Sequence, residues 1–352
     1  MSLDFMVAEP ALVARGSIGI ANPSGGAVNG ADCAVPASEI EVASTVESQS
    51  SVTATLASTH SSVLRDLLEL SKPRIVTMIL VTTLIAAVVA AGSTISIVVL
   101  VHLLVGVAMV AGSAGAMNQV WEREIDGEME RTRKRPIPAG RMSASVAALF
   151  STVLVVVGTI YLTLTVGFIP AAVGIATWIT YVPIYTPLKT RSVWNTTVGA
   201  ISGALPILIG YTAAGGSLYD LRGWLLVGVL VTWQYPHFMA IAWLYRRQYG
   251  EAGFRMTTTE EPTGRSAGWQ SVVGMIGLVA CLVGLAMTQS GASMTSSLIW
   301  AVCLAGVSYP MTKAAWRFAM ERNDLTARKL LRASLLQLPV SLLLVMVLAL
   351  LG

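Results

Sequence analysis

The chain has 352 residues and a formal net charge of +4, with 54% hydrophobic but only 12% charged residues. Soluble domains contain about 25% charged residues, so this composition excludes a soluble globular protein and indicates a polytopic membrane protein. The three cysteines form no Cys-x-x-Cys pair, which argues against a disulfide framework or a structural zinc site.

The first segment, residues 1–64, is predicted to be a disordered tail, because residues 1–60 are rich in small and polar residues and show no helical or strand periodicity. The tail lacks the basic stretch followed by an apolar stretch that defines a signal peptide. Its six acidic residues also make it unlike a transit peptide. The remainder, residues 65–352, is predicted to form one transmembrane domain.

Nine apolar runs follow, each close to the ~20 residues that a helix needs to cross a bilayer. Backbone groups in lipid must be hydrogen-bonded within the protein, so continuous apolar runs predict helices, whereas a strand barrel requires alternation. The predicted fold is therefore all-α, a polytopic membrane protein with a bundle of nine transmembrane helices. The runs are roughly residues 75–94, 98–117, 143–162, 166–184, 196–214, 223–243, 268–289, 293–312 and 331–351.

The basic residues of the loops predict the orientation. Of the 23 Lys and Arg residues, all except Arg222 lie before the first run or after the second, fourth, sixth and eighth runs. By the positive-inside rule these segments face the cytoplasm, which places the amino terminus inside and, with nine spans, the carboxyl terminus outside. Asp and Glu contribute little to orientation, so the acids in these loops need another explanation.

The densest charge cluster is the first charged segment, residues 118–136, NQVWEREIDGEMERTRKRP. We predict that the second helix continues to about Glu130, which aligns Asn118, Glu122, Asp126 and Glu130 because residues four apart share a face. Carboxylates stacked one turn apart repel each other unless a cation lies among them. Oxygen ligands with no His or Cys nearby favour Mg²⁺, which takes one or two carboxylates plus substrate phosphates.

The basic residues of this segment predict an anion site beside the metal. Arg131 and Arg135 belong to a run of four cations near its end, and Arg123 lies among the acids. An anion held by a metal ion on one side and guanidiniums on the other suits a phosphate. The segment is therefore interpreted as a diphosphate site at the inner membrane surface. The alternative is a solvated helix end with ion pairs between residues four apart.

The second charged segment, residues 181–195, YVPIYTPLKTRSVWN, follows the fourth run. Pro183 and Pro187 are expected to break the fourth helix, and Lys189 and Arg191 come next. A basic helix end beside the first charged segment supplies further cations for the same anion, although these residues also fit a topology signal.

The third charged segment, residues 246–251, follows the sixth run, which contains WQYPHFMAIAWL. His237 lies inside that run, and an ionisable residue within a span is a functional candidate. The alternative is a histidine bonded to a neighbouring helix. Arg246, Arg247 and Glu251 then add charge at the membrane edge.

Five stretches, taken together, resemble the protohaem IX farnesyltransferase family, also called haem O synthase, within the membrane prenyltransferase superfamily. The stretches occur in family order and cover residues 65–352. They are LSKPRIVTMILVTT at 70–83, NQVWEREIDGEMERTRKRPIPAGRMS at 118–143, YTPLKTRSVWNTTVGAISGALPILIGY at 185–211, WQYPHFMAIAWLYRRQYGEAG at 233–253 and ARKLLRASLLQLP at 327–339.

The resemblance implies nine helices around a lipid-accessible cavity, and transfer of a farnesyl group from farnesyl diphosphate to a vinyl group of haem B. It implies Mg²⁺ as cofactor, the lipid bilayer as surroundings, and a place in the bacterial inner membrane with the active-site loops cytoplasmic. It also suggests association with haem A synthase or a terminal oxidase assembly pathway. No nucleic-acid partner is predicted.

The candidate site residues are assigned with the resemblance in hand. The predicted catalytic residues are Asn118, Glu122, Asp126 and Lys189. The first three of these, together with Glu251, are the predicted metal ligands. The predicted substrate-binding residues are Arg123, Arg131, Arg135, Tyr185, Arg191, Asn195, Trp233, His237, Arg246 and Arg247.

The sequence departs from the family pattern in the acidic motifs. The family usually has Asp at the positions of Glu122 and Glu124, and Glu places its carboxylate one methylene further from the backbone. The family also usually has Asp at the position of Gln248, so a second metal is held by Glu251, held by fewer ligands, or absent.

Three alternative functions stay open at this point. One is prenyl transfer to another acceptor, such as a quinone precursor or chlorophyllide. Another is a non-catalytic relative that only holds haem, which Gln248 favours. The last is a secondary transporter for an organic anion. Transporters place charge near the bilayer midplane and often contain inverted repeats, whereas here the charge lies at one surface.

Overall fold

The computed structural model describes residues 62–289 and 293–351, which contain helices and turns but no β-strand. The described residues from Leu68 onward belong to one compact unit. Residues 62–67 are helical. The predicted disordered tail lies outside the described residues except for 62–64, which are helical.

The predicted nine spans are confirmed, since the described residues form nine helices that are long and apolar enough to cross a membrane. Their ends lie within a few residues of the predicted ends, except that α8 continues further and α9 begins earlier. The helices are α1 (Pro73–Ala91), α2 (Ile97–Trp121), α3 (Ala144–Thr165), α4 (Phe168–Leu188), α5 (Asn195–Ala213), α6 (Leu221–Leu244), α7 (Arg265–Met287), α8 (Met294–Glu321) and α9 (Asp324–Leu351).

Helix α6 forms the centre of the bundle. In its apolar stretch 72% of the residues are buried, against 28% in α1, α3 and α8. It packs against α5, α7 and α9, and Trp233, Met239 and Leu226 contribute to the main core. The outer helices instead present large apolar side chains on the surface, as lipid-facing helices do.

Two helices adjust around proline. In α4, residues Thr180–Tyr185 form a π-helical turn that contains Pro183, because proline cannot donate the backbone hydrogen bond of a regular helix. The expected break is thus a change of helical pitch, and α4 continues to Leu188. Helix α5 is interrupted at Leu205, directly before Pro206. Both irregular turns lie beside the cavity described below.

Helices α1 and α5 approach each other at Gly210. A Cβ atom at this position would collide with the carbonyl oxygen of Thr83, so a side chain larger than hydrogen would force the helices apart. The hydroxyl of Thr83 donates to the carbonyl oxygen of Pro206 at 3.3 Å, at the interruption of α5. This contact fixes α1 against α5 along one wall of the cavity.

Candidate active site

The predicted polar stripe is present, but on a shorter stretch than expected. Asn118, Glu122 and Asp126 are 0%, 6% and 3% exposed, whereas Glu130 is exposed. The prediction of one helix to Glu130 is wrong, because α2 ends at Trp121 and a separate helix spans Arg123–Glu128.

The stripe nevertheless keeps its helical register across this interruption. The amide of Glu122 donates to the carbonyl oxygen of Asn118 at 3.0 Å, and that of Asp126 donates to Glu122 at 2.8 Å. Beyond this point Met129 adopts an extended conformation, which ends the short helix and turns Glu130 out of line. Three residues, one turn apart, therefore remain on one buried face.

Asn118 joins three helices through its side-chain amide. Its Oδ1 accepts a hydrogen bond of 2.6 Å from Nζ of Lys72, which directly precedes α1. Its Nδ2 donates to Oγ1 of Thr186 in α4 at 3.1 Å. The 5% exposure of Lys72 shows that this ammonium is held inside the protein.

Lys72 belongs to this buried polar cluster, and it is absent from the residues predicted from the sequence. In the sequence, a basic residue ahead of the first span fits a topology signal. The structure gives it a left-handed backbone with φ of 52°, one of two non-glycine residues with positive φ in the described ranges. Such a conformation is costly for a residue with a side chain and is concentrated at functional sites. The available signal was its place in Ser-Lys-Pro, where the helix must begin at the proline.

Glu122 and Lys189 form a buried ion pair. Nζ of Lys189 lies 2.6 Å from Oε1 of Glu122, and both side chains are less than a tenth exposed. Burial alone would raise the pKa of Glu122, but the ammonium groups of Lys189 and Lys72 outweigh it and hold that pKa below its ordinary value. Both partners are therefore charged at neutral pH. The ammonium of Lys189 also lies 4.8 Å from the centre of the Tyr185 ring.

Asp126 is held by Arg135 through one guanidinium nitrogen that reaches both carboxylate oxygens. Nη1 of Arg135 donates to Oδ1 and Oδ2 of Asp126 at 2.8 and 2.7 Å. The backbone oxygen of Asp126 accepts from the hydroxyl of Thr132 at 2.8 Å, which closes the loop between the two residues. Acids and bases of the first charged segment are thus brought together by a turn, and a straight helix would have kept them apart.

A cavity begins beside these groups and is lined by residues of α1, α2, α4, α5 and α6. It contains about 850 Å³ of empty space, part of which is open to the surroundings. Lys72 and Tyr185 line it near the polar cluster, and most of the remaining wall is apolar or small, including Ile79, Val110 and Ile209. The site therefore combines a charged end with an apolar channel, an arrangement suited to an amphipathic ligand.

The third charged segment is largely exposed. Arg247, Gln248 and Glu251 are exposed. Arg246 stacks on Trp243, with its guanidinium carbon 4.5 Å from the ring centre, and forms a 3.1 Å ion pair with Asp324 at the start of α9. Its described contacts are therefore with α6 and α9.

The segment still reaches the first charged segment through apolar packing. Tyr249 and Ala252 share a small buried cluster with Met129 and Phe238, while Ile125 packs at its edge. The first and third charged segments therefore contact each other through apolar side chains.

Trp233 and His237 occupy a buried contact between α6 and α9. Nε1 of Trp233 donates to the Ser334 carbonyl oxygen at 3.0 Å, and Nδ1 of His237 lies 2.7 Å from the Ser334 hydroxyl. Their rings stack at 4.6 Å between centroids. Neither residue lines the cavity, although their neighbours Gln234 and Phe238 do.

The other predicted substrate-binding residues are distributed around the cluster. Arg123 is exposed and paired with Glu124, and Arg191 is exposed while Arg131 is half-buried. Asn195 is buried, and its amide donates to the backbone oxygens of Ser192 and Arg255 at 2.6 and 2.7 Å. Asn195 therefore connects the second charged segment to the loop after the third.

The donor set fits one hard cation better than a preformed metal cage. Among the described residues, no group of three or more His, Cys, Asp or Glu side chains could hold a metal. Asn118, Glu122 and Asp126 offer one amide and two carboxylates, and this is a suitable set for Mg²⁺ when substrate phosphates and water complete the coordination. Glu251 lies on the exposed face of its short helix.

Comparisons with known proteins agree with this architecture. Residues 79–348 match the UbiA prenyltransferase family. The chain is 56% identical over 279 residues to a protoheme IX farnesyltransferase of Rhodopirellula baltica, covering 79% of this chain and 97% of that protein.

Two solved structures share the fold. A digeranylgeranylglyceryl phosphate synthase superposes with a TM-score of 0.69 at 15% identity, covering 82% of this chain and 99% of that one. A UbiA homologue from Archaeoglobus fulgidus, bound to DMAPP and Mg²⁺, superposes with a TM-score of 0.61 at 13% identity, covering 80% and 99%.

Proposed function

The chain belongs to the UbiA prenyltransferase family, and from that premise we propose that it transfers the farnesyl group of farnesyl diphosphate to a vinyl group of protohaem IX. The product would be haem O, which carries a hydroxyethylfarnesyl side chain. The chain is a multi-pass membrane prenyltransferase. The observation that carries the proposal is the apolar cavity that begins at Lys72, beside the buried carboxylates and cations.

The charged end would hold the diphosphate. Lys72, Lys189 and Arg135 are three cations fixed by Asn118, Glu122 and Asp126 respectively. Because these cations are positioned before substrate arrives, they can stabilise the charge of the departing diphosphate with little reorganisation. This stabilisation favours breaking of the allylic carbon–oxygen bond.

Asn118, Glu122 and Asp126 are also the residues that would hold Mg²⁺. When bound, Mg²⁺ would supply charge neutralisation at the diphosphate oxygens. The Archaeoglobus fulgidus homologue that is bound to DMAPP and Mg²⁺ supports a divalent metal at this kind of site. Glu251 remains the proposed additional ligand.

The cavity would hold the farnesyl chain. Tyr181, Tyr185, Trp178 and Phe238 lie along its wall, where their ring faces can shelter an allylic cation. A haem vinyl carbon would bond to the allylic carbon, and water would add to the other vinyl carbon with loss of a proton. No protein nucleophile is required for this sequence. His237 and Trp233 would support the haem end by fixing α6 against α9.

The cellular setting follows the same proposal. The basic loops would face the cytoplasm of a bacterial inner membrane, because 22 of the 23 Lys and Arg residues lie on that side of the predicted topology. The product would pass to haem A synthase or to the assembly of a terminal oxidase.

The experiment that tests the proposal is a product assay with the purified full chain. The chain would be incubated with Mg²⁺, haem B and dimethylallyl, geranyl or farnesyl diphosphate in separate reactions, and the extracted haem analysed by mass. We expect haem O only with farnesyl diphosphate. Parallel reactions with 4-hydroxybenzoate and chlorophyllide test other acceptors.

Each failure has a distinct meaning. A prenylated product from another acceptor, with haem unchanged, would identify a different prenyltransferase. Haem binding without any product would identify a non-catalytic haem carrier. Diphosphate flux across vesicles that contain the chain, without product, would favour the transporter.

A further inference from the structure

A second cavity lies between α8 and α9, away from the candidate active site. It contains about 660 Å³ of empty space that opens to the surroundings. Lys313 and Arg317, four residues apart on α8, line it together with Lys329 of α9. Glu321 is its one acidic lining residue, and Ala314 and Leu325 contribute apolar surface. We call this site the α8–α9 groove.

The three cations of the α8–α9 groove are available to a ligand. Within residues 62–289 and 293–351, none of their side chains forms an ion pair or a hydrogen bond. Glu321 forms no ion pair with them in the described ranges, and its carboxylate lies 3.5 Å from the amide of Asn323, so the lining carries three positive charges and one negative charge. Lys313, Arg317 and Lys329 are exposed and all three line the groove. The groove therefore presents net positive charge.

The α8–α9 groove lies at the level of the lipid headgroups. Helix α8 has 28 residues, about 42 Å at 1.5 Å per residue, which exceeds the roughly 30 Å thickness of the hydrocarbon core. Trp316 and Trp269 are 52% and 44% exposed and pack edge-to-face at 6.1 Å between centroids. Exposed tryptophans of membrane proteins concentrate at the membrane–water interface. Lys313 and Arg317 flank Trp316 in sequence and are therefore placed at the interface.

We propose that the α8–α9 groove binds the headgroup phosphate of an anionic phospholipid. Basic pockets between transmembrane helices are suited to anionic headgroups, and Arg and Lys donate charge-assisted hydrogen bonds to phosphate oxygens. The apolar residues beside the cations give the first part of an acyl chain a surface to pack against, which a free phosphate ion would not use. The cations also come from two helices, so a bound lipid would join α8 to α9.

Basic residues that only set the membrane topology would be distributed differently from those of the α8–α9 groove. Positive-inside topology requires Lys and Arg near the membrane but no convergence on one cavity. Arg265, Arg328 and Arg332 meet that requirement, since they are exposed and lie outside the groove lining. They provide a matched control with the same change of charge.

The test is native mass spectrometry of the purified full chain in detergent, titrated with phosphatidylglycerol or phosphatidylcholine. The groove variant is Lys313→Gln/Arg317→Gln/Lys329→Gln, and the control variant is Arg265→Gln/Arg328→Gln/Arg332→Gln. We expect wild-type protein to retain one phosphatidylglycerol in preference to phosphatidylcholine. The groove variant should bind that lipid about 10- to 100-fold more weakly, because each basic residue near a membrane surface contributes appreciably to binding.

The control variant should keep the preference within about threefold, since its charges lie outside the groove. Thermal unfolding in phosphatidylcholine alone should be equal for all three proteins, which establishes that the exposed substitutions leave the fold intact. Equal losses in the groove and control variants would overturn the proposal in favour of diffuse surface charge. Displacement of the lipid by inorganic phosphate would overturn it in favour of a free-anion site.

Discussion

In the first charged segment Asn118, Glu122 and Asp126 are buried and each is bonded to a cation, whereas in the third Arg247 and Glu251 are exposed. The two segments look alike in sequence, since both place acids and bases at the end of a long apolar run. Their surroundings separate them. The first faces α1 and the second charged segment across the end of the cavity, while Arg246 in the third turns towards α9.

A high density of charge therefore identifies a region of the chain but not a binding or catalytic site. A buried carboxylate is stable only with a nearby cation, so each buried acid of the first segment requires a specific partner. Exposed charges are solvated by water and therefore need no particular counter-ion.

Removal of Lys189 should have the largest effect. Lys189→Met leaves Glu122 buried without its counter-ion, so we expect a loss of about 3–5 kcal/mol in the free energy of unfolding. The double variant Glu122→Gln/Lys189→Met should recover part of that stability but no prenyl transfer. Denaturation of detergent-solubilised protein measures the first quantity and haem O formation the second.

The exposed Arg191 of the same segment provides the control. Arg191→Met should change the free energy of unfolding by less than about 0.5 kcal/mol, as surface substitutions generally do. A double variant less stable than Lys189→Met would contradict the ion-pair explanation.

Substitution of Asp126 by Asn should abolish most activity, while the isosteric side chain keeps one oxygen that can accept from Arg135. Asp126→Asn removes a negative charge from Arg135 and from the proposed metal site, and we expect haem O formation to fall about 100- to 1,000-fold, as for loss of other electrostatic groups. Glu128→Gln, an exposed neighbour on the same short helix, is the matched control and should remain close to wild type. Equal turnover for Asp126→Asn and wild type would remove Asp126 from the mechanism.

The third charged segment should respond weakly in the same assay. Glu251→Gln is expected to raise the Mg²⁺ concentration for half-maximal activity by about threefold, and Gln248→Asp to lower it by a similar factor, since each alters one exposed ligand position. Glu122→Gln should shift it by at least about tenfold. If neither Glu251→Gln nor Gln248→Asp changes the Mg²⁺ concentration for half-maximal activity, this loop holds no metal. Glu124→Gln is the control for the loss of an exposed acid.

The smallest effect is expected at Arg246. Arg246→Gln removes the ion pair with Asp324 and the contact with the Trp243 ring, which should lower the free energy of unfolding by about 1 kcal/mol. Asp324→Asn should be less than additive with it, because the two changes break the same pair. If the two changes in the free energy of unfolding are fully additive in a double-mutant cycle, the Arg246–Asp324 pair contributes nothing to stability. Arg247→Gln is the control for the loss of one positive charge.

The sequence predicted the spans well because a helix in lipid must satisfy its own backbone, so length and apolar composition suffice to locate it. It also predicted that Asn118, Glu122 and Asp126 share one face, because a spacing of four residues encodes that face locally. It failed at Glu130, where the extended residue Met129 ends the register. Gly127 lies two residues before Met129, and glycine destabilises a helix because it loses more conformational freedom there than other residues.

The partners of that stripe depended on the tertiary structure. Lys72 lies 46 residues before Asn118 and Lys189 lies 67 residues after Glu122, and no local pattern connects positions so far apart. The packing of α1, α2 and α4 decides which of the many basic residues reach a buried acid and which, like Arg247, remain in solvent. Periodicity thus determined the helices and one polar face, while the arrangement of helices decided which charges form the site, because only burial makes a particular counter-ion necessary.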